Sequence, residues 1–177
     1  MKRKMILKGF VMMFACMLTA VVSQAQDKPK PSPAKTATGK AGAANITINY
    51  SAPSAKGRKV FGELVPFDKV WRAGANEATI FETDKDIMVE GQKLPAGKYS
   101  LYALPGASEW SFIFNSETGQ WGIKRGGETS KDASKDVLTV KAKPAKSASM
   151  TETMAYEVTP AGFVLRWENT EVPVAIK

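Results

Sequence analysis

The sequence predicts one all-β domain over residues 45–177, an antiparallel and jelly-roll-like β-sandwich. Short runs in which apolar residues occupy every second position recur along these residues, a pattern typical of half-buried strands. Turns that contain proline and glycine separate the runs, for example at residues 94–97 and 159–162. Many short strands with frequent turns favour an antiparallel sandwich or barrel. A chain of about 130 residues is long enough to bury one core.

Nine strands account for this domain. They are predicted at residues 46–50, 77–83, 87–90, 98–104, 110–115, 137–143, 150–158, 163–168 and 172–176. The large apolar residues at alternate positions of residues 110–115 and 163–168 are expected to form the core rather than a sugar-stacking surface. A helix is conceivable near residues 130–135, but a polar loop is expected there because the segment is poor in apolar residues.

The N-terminus predicts export. Residues 1–4 are basic, an apolar run follows over residues 9–22, and Ser23-Gln24-Ala25 is a typical cleavage site, so residues 1–25 are a predicted signal peptide. The apolar run is shorter than the ~20 residues of a transmembrane helix, so no membrane span is expected in the mature chain. Lipid attachment at Cys16 is disfavoured by the apolar residues on both sides of it. We expect a protein of the periplasm or the extracellular space.

Residues 26–44 are predicted to be a disordered linker. They are rich in Pro, Lys, Ala, Gly and Thr, and they contain no large apolar residue. A segment of this composition cannot bury enough surface to offset the entropy lost on ordering. The ordered domain is therefore expected to begin at Asn45.

The positive charge of the chain is concentrated at its N-terminus. The whole chain carries 25 basic and 17 acidic residues, a net charge of +8. The first 44 residues hold eight of the basic groups and one of the acidic groups, which leaves 17 basic and 16 acidic residues in the predicted domain. A nucleic-acid-binding domain would need clustered positive charge, so nucleic acid is not an expected partner.

The composition also excludes several kinds of active site. The only cysteine is Cys16, in the predicted signal peptide, and the chain has no histidine. Catalytic triads that use His or Cys, Cys/His zinc sites, haem or iron–sulfur ligation and disulfides are therefore excluded from the mature domain. We expect no metal and no cofactor. An enzyme built from this chain would have to use carboxylates, Lys, Tyr or Ser.

The stretch VWRAGANEATI, residues 70–80, holds the candidate site residues Trp71, Arg72, Asn76 and Glu77. In the preferred interpretation Arg72 and Glu77 form an ion pair around Gly74, and Asn76 bonds to the backbone of the turn. In the alternative interpretation the four residues bind a ligand. Arg72 would then bind a carboxylate or sugar hydroxyls with Asn76 as a second polar partner, and Trp71 would form an apolar wall.

Two other polar sets carry weaker signals. Eight carboxylates lie in or beside predicted strands, and no spacing singles out a pair for glycoside hydrolysis. The loop over residues 122–136 places Gly126 and Gly127 beside two cations, which could cradle an anion. It lacks the context of a phosphate-binding P-loop, so a solvated loop is expected. Trp121, between two glycine-rich bends, is expected at a loop tip.

The ordered part of the chain resembles the family known as domain of unknown function 2911. The resemblance is carried by the segments INYSAPSAKGRKVFGELVPFDKVWRAGANEATIF, LPAGKYSLYALP, WSFIFN and LRWENTEVPVAI, and it covers nearly all of residues 45–177. It implies an exported bacterial β-rich domain without an assigned activity. It supplies no catalytic residue that could be transferred to this chain.

Two classes of function follow from these observations. The first is an exported, non-catalytic protein that binds a small polar ligand, a glycan or a protein partner. The second is a carboxylate-based hydrolase that acts on glycans. An exposed cluster of Trp71, Trp121 and a tyrosine beside Arg72 would favour binding. Two facing carboxyl groups, one with a raised pKa, would favour catalysis. The sequence favours the first class.

Overall fold

A computed structural model of the chain describes Lys30 and residues 32–177. The predicted signal peptide, residues 1–25, lies outside the described residues. The described part contains ten strands and one short 3-10 turn at Ala133–Lys135. The strands are β1 Ala34–Ala41, β2 Ala44–Ser51, β3 Ala75–Thr83, β4 Ile87–Val89, β5 Gln92–Leu94, β6 Gly97–Leu104, β7 Trp110–Asn115, β8 Asp136–Ala142, β9 Ala145–Thr159 and β10 Gly162–Ala175.

The strands form an antiparallel sandwich, as predicted. Six of them make one sheet in the order β1-β2-β3-β6-β7-β8, and the long hairpin β9–β10 makes the second layer. Phe163 of β10 lies against Phe81 of β3 and Phe112 of β7, with ring centroids 5.8 and 5.6 Å away, so the hairpin packs on the larger sheet. Chain neighbours pair throughout the larger sheet except where the β4–β5 hairpin intervenes, which is the connectivity of a meander.

The core lies between the two layers. The predicted core residues of β7 and β10 are all buried there, which confirms that they pack rather than form a surface platform. These residues are Trp110, Phe112, Phe114, Phe163, Leu165 and Trp167. A smaller cluster of Ala78, Tyr102 and Ile113 lies apart from that core. Gln120 donates to the hydroxyl of Tyr102 at 2.9 Å, so the loop after β7 packs beside the smaller cluster.

Strand β1 contradicts the predicted linker. All eight of its residues pair with β2, so the prediction of disorder is wrong for residues 34–41, and the domain begins before Asn45. The small side chains of β1 allow it to pack closely against β9. A Cβ on Gly39 would lie 3.0 Å from Cβ of Val158 in β9, so a larger side chain would not fit there without a shift of that neighbour. Residues 26–29 and 31 lie outside the described part of the chain.

The last two predicted strands are a single strand with irregular pairing. Strand β10 pairs with β9 from Gly162 to Glu171, with register shifts between Arg166 and Glu168 and between Glu168 and Thr170. Glu168 has a φ of 55°, a left-handed conformation that is uncommon for residues other than glycine. Irregularities of this kind bend a strand and change the direction of its side chains. Trp167 lies between Arg166 and Glu168, at the first of these register shifts.

The sequence did not predict the short strand β5. It pairs with β4 across the Glu90-Gly91 turn. Within the described residues, no helix is long and apolar enough to cross a membrane.

Candidate functional site

A cavity of about 840 Å³ lies where the segment between β2 and β3 meets the loop after β7 and strand β10. This volume is within the ~300–1,000 Å³ range of small-molecule sites. Its walls combine aromatic and aliphatic side chains with a few polar groups. They are formed by Ser32, Pro53, Ser54, Lys56, Arg58, Leu64, Val65, Pro66, Asp68, Lys69, Val70, Trp71, Arg72, Gly74, Ala75, Ile123, Gly126, Gly127, Glu128, Thr129 and Trp167.

Trp71 is held firmly in this wall. Its backbone exchanges two hydrogen bonds with Ala103 of β6, at 2.7 and 2.8 Å. Its indole Nε1 donates to the carbonyl of Gly74 at 2.9 Å, and its ring stacks on that of Trp167 with centroids 6.0 Å apart. Both the backbone and the side chain of Trp71 are thus fixed, as an apolar wall requires.

Arg72 lines the same cavity with a guanidinium that is not fully paired. Its Nη1 is buried and has no hydrogen-bond partner in the described part of the chain. Its Cζ lies 5.7 Å from the ring centroid of Trp121, and Gly122 packs on its aliphatic stem. Burial lowers the pKa of Arg72, and the negative charge of Glu77 partly opposes that shift. The site therefore holds a partly desolvated cation with one unused donor.

The predicted ion pair between Arg72 and Glu77 is not formed, so the preferred interpretation is wrong on this point. Glu77 instead pairs with Lys30, and its side chain is 47% exposed. The hydrogen bond from Lys30 is the main cause that lowers the pKa of Glu77. Strand β3 already begins at Ala75, so Glu77 belongs to the strand rather than to the turn. Gly74 has a different role. A Cβ at this position would lie 2.6 Å from the hydroxyl oxygen of Thr79, so the close approach of Thr79 requires a glycine.

Asn76 bonds to a backbone carbonyl, but not to one of its own turn. Its Nδ2 donates to the carbonyl of Ser32 at 3.0 Å, and its φ of 57° is a left-handed conformation that asparagine tolerates. Ser32 is itself a cavity residue. Asn76 and Glu77 therefore attach the N-terminal segment beside the cavity. Of the four candidate residues, Trp71 and Arg72 line the cavity.

Sequence reasoning placed Trp167 in the core and missed its position at the cavity. Its side chain is only 1% exposed, yet its Nε1 has no hydrogen-bond partner among the described residues. The only sequence signal is the break in alternation at WENTE, residues 167–171, where β10 becomes irregular. A buried indole N–H normally finds a partner, so this unpaired donor is unusual.

The charged residues of the cavity wall are unequal in number. Four are basic and two are acidic: Lys56, Arg58, Lys69 and Arg72 against Asp68 and Glu128. The guanidinium of Arg58 donates to the carbonyls of Ala55 and Ser54, at 2.8 and 2.9 Å. The wall thus carries a positive excess, and an anion would be the electrostatically favoured guest.

The glycine-rich loop contributes to the cavity through its shape. Gly126 and Gly127 lie in the wall, and the N–H of Gly127 donates to the carbonyl of Lys124 at 3.0 Å. That donor is used within the loop's own turn, which weakens the alternative of an anion cradle. Trp121 is 49% exposed at the same loop, as predicted.

The carboxyl groups give the hydrolase interpretation no support. Those with shifted pKa values are all shifted downward, chiefly by hydrogen bonds. They are Glu77, Asp84, Asp86 and Asp132. A general acid needs a raised pKa, so none of these four has the property that acid catalysis of glycan cleavage requires.

Comparison with known proteins identifies one family. A family model described as "Protein of unknown function (DUF2911)" matches residues 32–176. The match begins just before β1, so it includes the strand that composition had assigned to a linker. No curated protein and no solved structure shows a significant match to the chain.

Proposed function

The chain belongs to the DUF2911 family of proteins of unknown function, and we propose that it is an exported, non-catalytic protein that binds a small molecule in the cavity beside Trp71 and Arg72. Export is supported by the predicted signal peptide. Small-molecule binding is supported by the volume and the mixed walls of the cavity.

The cavity and the composition of its wall carry this proposal. Arg72 Nη1 and Trp167 Nε1 are buried, they belong to cavity residues, and they have no partner in the described part of the chain. Leaving a buried donor without an acceptor costs about 1–3 kcal/mol, and folded proteins rarely tolerate it. Each of these two atoms exposes less than 1 Å² of surface, so an acceptor on a ligand in the cavity could reach it only after neighbouring side chains move. The volume of the cavity and the excess of basic residues in its wall are the observations that support a binding site.

The test uses N-phenyl-1-naphthylamine, a neutral dye that fluoresces in apolar sites. We expect saturable binding of one dye molecule per chain. Gly126→Trp should weaken this binding at least tenfold, because Gly126 lines the cavity and has open space at its Cβ position. Val137→Trp is the matched control, since Val137 is exposed on β8 outside the cavity wall.

The two variants separate binding in the cavity from binding elsewhere. Dye binding that Val137→Trp leaves unchanged and Gly126→Trp abolishes supports the proposal. If the parent protein shows no saturable binding, or if both variants bind the dye as the parent does, the cavity is not a ligand site.

A further inference from the structure

Two segments that border the cavity carry an excess of positive charge. They are residues 56–69, between β2 and β3, and residues 122–129, in the loop after β7, and both contribute several residues to the cavity wall. We call these two segments the mouth surface. They hold six basic and three acidic residues, whereas the rest of residues 45–177 holds eleven basic and thirteen acidic residues. The charge of a nearly neutral domain is therefore polarised toward the cavity.

The basic residues of the mouth surface lie in or beside compact turns and are exposed. The N–H of Leu64 donates to the carbonyl of Lys59 at 3.3 Å, and the N–H of Lys124 donates to the carbonyl of Glu128 at 2.7 Å. These bonds close one turn in each segment. All six basic residues are exposed to solvent: Lys56, Arg58, Lys59, Lys69, Lys124 and Arg125.

The mouth surface also exposes two large apolar side chains. Leu64 is 39% exposed and Phe67 is 36% exposed, and Pro66 between them is exposed as well. Phe67 is positioned by its contact with Gly62, where a Cβ would lie 2.9 Å from the ring. Apolar residues that are exposed singly are common, but a group of them beside several cations is typical of an interaction surface.

An anionic bilayer matches both properties of the mouth surface. Its headgroups attract basic residues, and the boundary between headgroups and acyl chains accepts apolar side chains. A nucleic acid would attract the cations, but its phosphate backbone offers no apolar region for Leu64 and Phe67. A protein partner would need a surface shaped to these turns, whereas a fluid bilayer adapts to them.

We propose that the mouth surface docks on an anionic lipid bilayer, with Leu64 and Phe67 in the interfacial region and the basic residues among the headgroups. Leu64 also belongs to the cavity wall, so docking would turn the cavity toward the lipid. This inference goes beyond the proposed function and does not depend on it, because the mouth surface is exposed whether or not the cavity holds a ligand.

The test is co-sedimentation of the protein without its predicted signal peptide with large unilamellar vesicles. One set of vesicles contains phosphatidylcholine alone, and the other contains an equal mixture of phosphatidylcholine and phosphatidylglycerol. We expect binding to the mixed vesicles to be at least about tenfold tighter than binding to phosphatidylcholine. Added sodium chloride should weaken it, because salt screens the attraction between the basic residues and the headgroups.

Charge variants locate the docking surface. Lys56→Gln combined with Lys69→Gln should weaken binding to the mixed vesicles at least about tenfold, because each basic residue near an anionic surface contributes about fivefold. Lys35→Gln combined with Lys40→Gln is the matched control. It removes the same charge from exposed positions of β1 outside the cavity wall, and it should weaken binding by less than about twofold.

Apolar variants test insertion. Leu64→Ser combined with Phe67→Ser should weaken binding to the mixed vesicles at least about fivefold, because the apolar surface that enters the bilayer is lost. Val137→Ser combined with Met150→Ser is the matched control, since both residues are exposed outside the mouth surface. Melting temperatures verify that each variant is folded, and Leu64→Ser alone replaces the double variant if that variant is unfolded.

Four results would overturn the inference. They are equal binding to the two kinds of vesicle, binding to neither, equal losses in the mouth and control variants, and a loss in the charge variant without one in the apolar variant. Binding to neither kind of vesicle would leave a protein as the occupant of the mouth surface. None of these results bears on the binding of N-phenyl-1-naphthylamine, so the proposed function is tested separately.

Discussion

Trp71 and Trp167 stack at the wall of the cavity with their rings 24° from parallel, although one lies in the segment before β3 and the other in β10. The contact joins a loop to the hairpin of the opposite layer. Phe61 packs edge-on against both rings, which makes the contact part of the main core. The part of the cavity wall formed by Trp71 and Trp167 is therefore continuous with the main core.

The first prediction concerns this stack. Trp71→Ala should lower the free energy of unfolding by about 3 kcal/mol, the usual cost of removing a large packed aromatic side chain. It should also weaken dye binding. Trp121→Ala is the control, because Trp121 is half exposed and its removal should cost about 1 kcal/mol or less. Denaturant unfolding measures both values. Equal losses for the two variants would show that the stack has no special structural role.

The second prediction concerns the close approach of β1 to β9. Gly39→Val should destabilise the domain by about 1–3 kcal/mol, because its Cβ would press on Val158. Thr38→Val, at the exposed neighbouring position, should change stability by less than about 0.5 kcal/mol. Thermal unfolding of the two variants distinguishes them. If Gly39→Val melts like the control, β1 does not pack as described.

The third prediction concerns the attachment of the N-terminal segment. The hydrogen bond from Lys30 lowers the pKa of Glu77 below its ordinary value of 4.5. The pair therefore stabilises the fold at pH values above 4.5, and this stabilisation is lost as the pH falls through the lowered pKa. Glu77→Gln should therefore reduce stability at pH 7 by about 1 kcal/mol or less, as is usual for exposed pairs. The difference from the parent protein should vanish at strongly acidic pH. A difference that does not depend on pH would exclude this ion pair as its cause.

The fourth prediction concerns a buried ion pair near the cavity loop. The side chain of Lys131 is 6% exposed, and its Nζ lies 2.5 Å from Oδ2 of Asp136. Lys131→Met should cost roughly 2–4 kcal/mol, because it leaves a partly buried carboxylate without its cation. Lys141→Met, which removes an exposed pair with Glu109, should cost about 1 kcal/mol or less. Denaturant unfolding should show this contrast, and similar costs for both variants would argue against it.

The fifth prediction concerns export. The predicted signal peptide implies that the mature protein begins at Gln26 and carries no lipid. The intact mass of protein purified from the cell envelope or the medium measures this directly. A mass that includes residues 1–25, or an acyl group on Cys16, would contradict the prediction.

Local pattern determined most of the fold. Alternation of apolar and polar residues depends only on the two-residue repeat of an extended chain, so most strands were predicted, and β7 was predicted with its bounds unchanged. Strand β1 was missed because its small residues are suited to a neighbour that approaches closely, and composition alone cannot distinguish that requirement from disorder. The pairing of β1 with β2 and its contact with Val158 exist only in the folded chain.

The candidate site, like the fold, was predicted only in part from the sequence. The residue types of VWRAGANE singled out Trp71, Arg72, Asn76 and Glu77, and the structure places two of them, Trp71 and Arg72, in the cavity wall. The sequence could not decide which partners the charged groups find. Glu77 bonds to Lys30 because β3 begins early enough to carry Glu77 beside the N-terminal segment, and Arg72 is left with an unpaired donor. Trp167 reaches the cavity through irregular pairing between two strands, and hydrogen bonds across strands depend on register, which only the folded chain establishes.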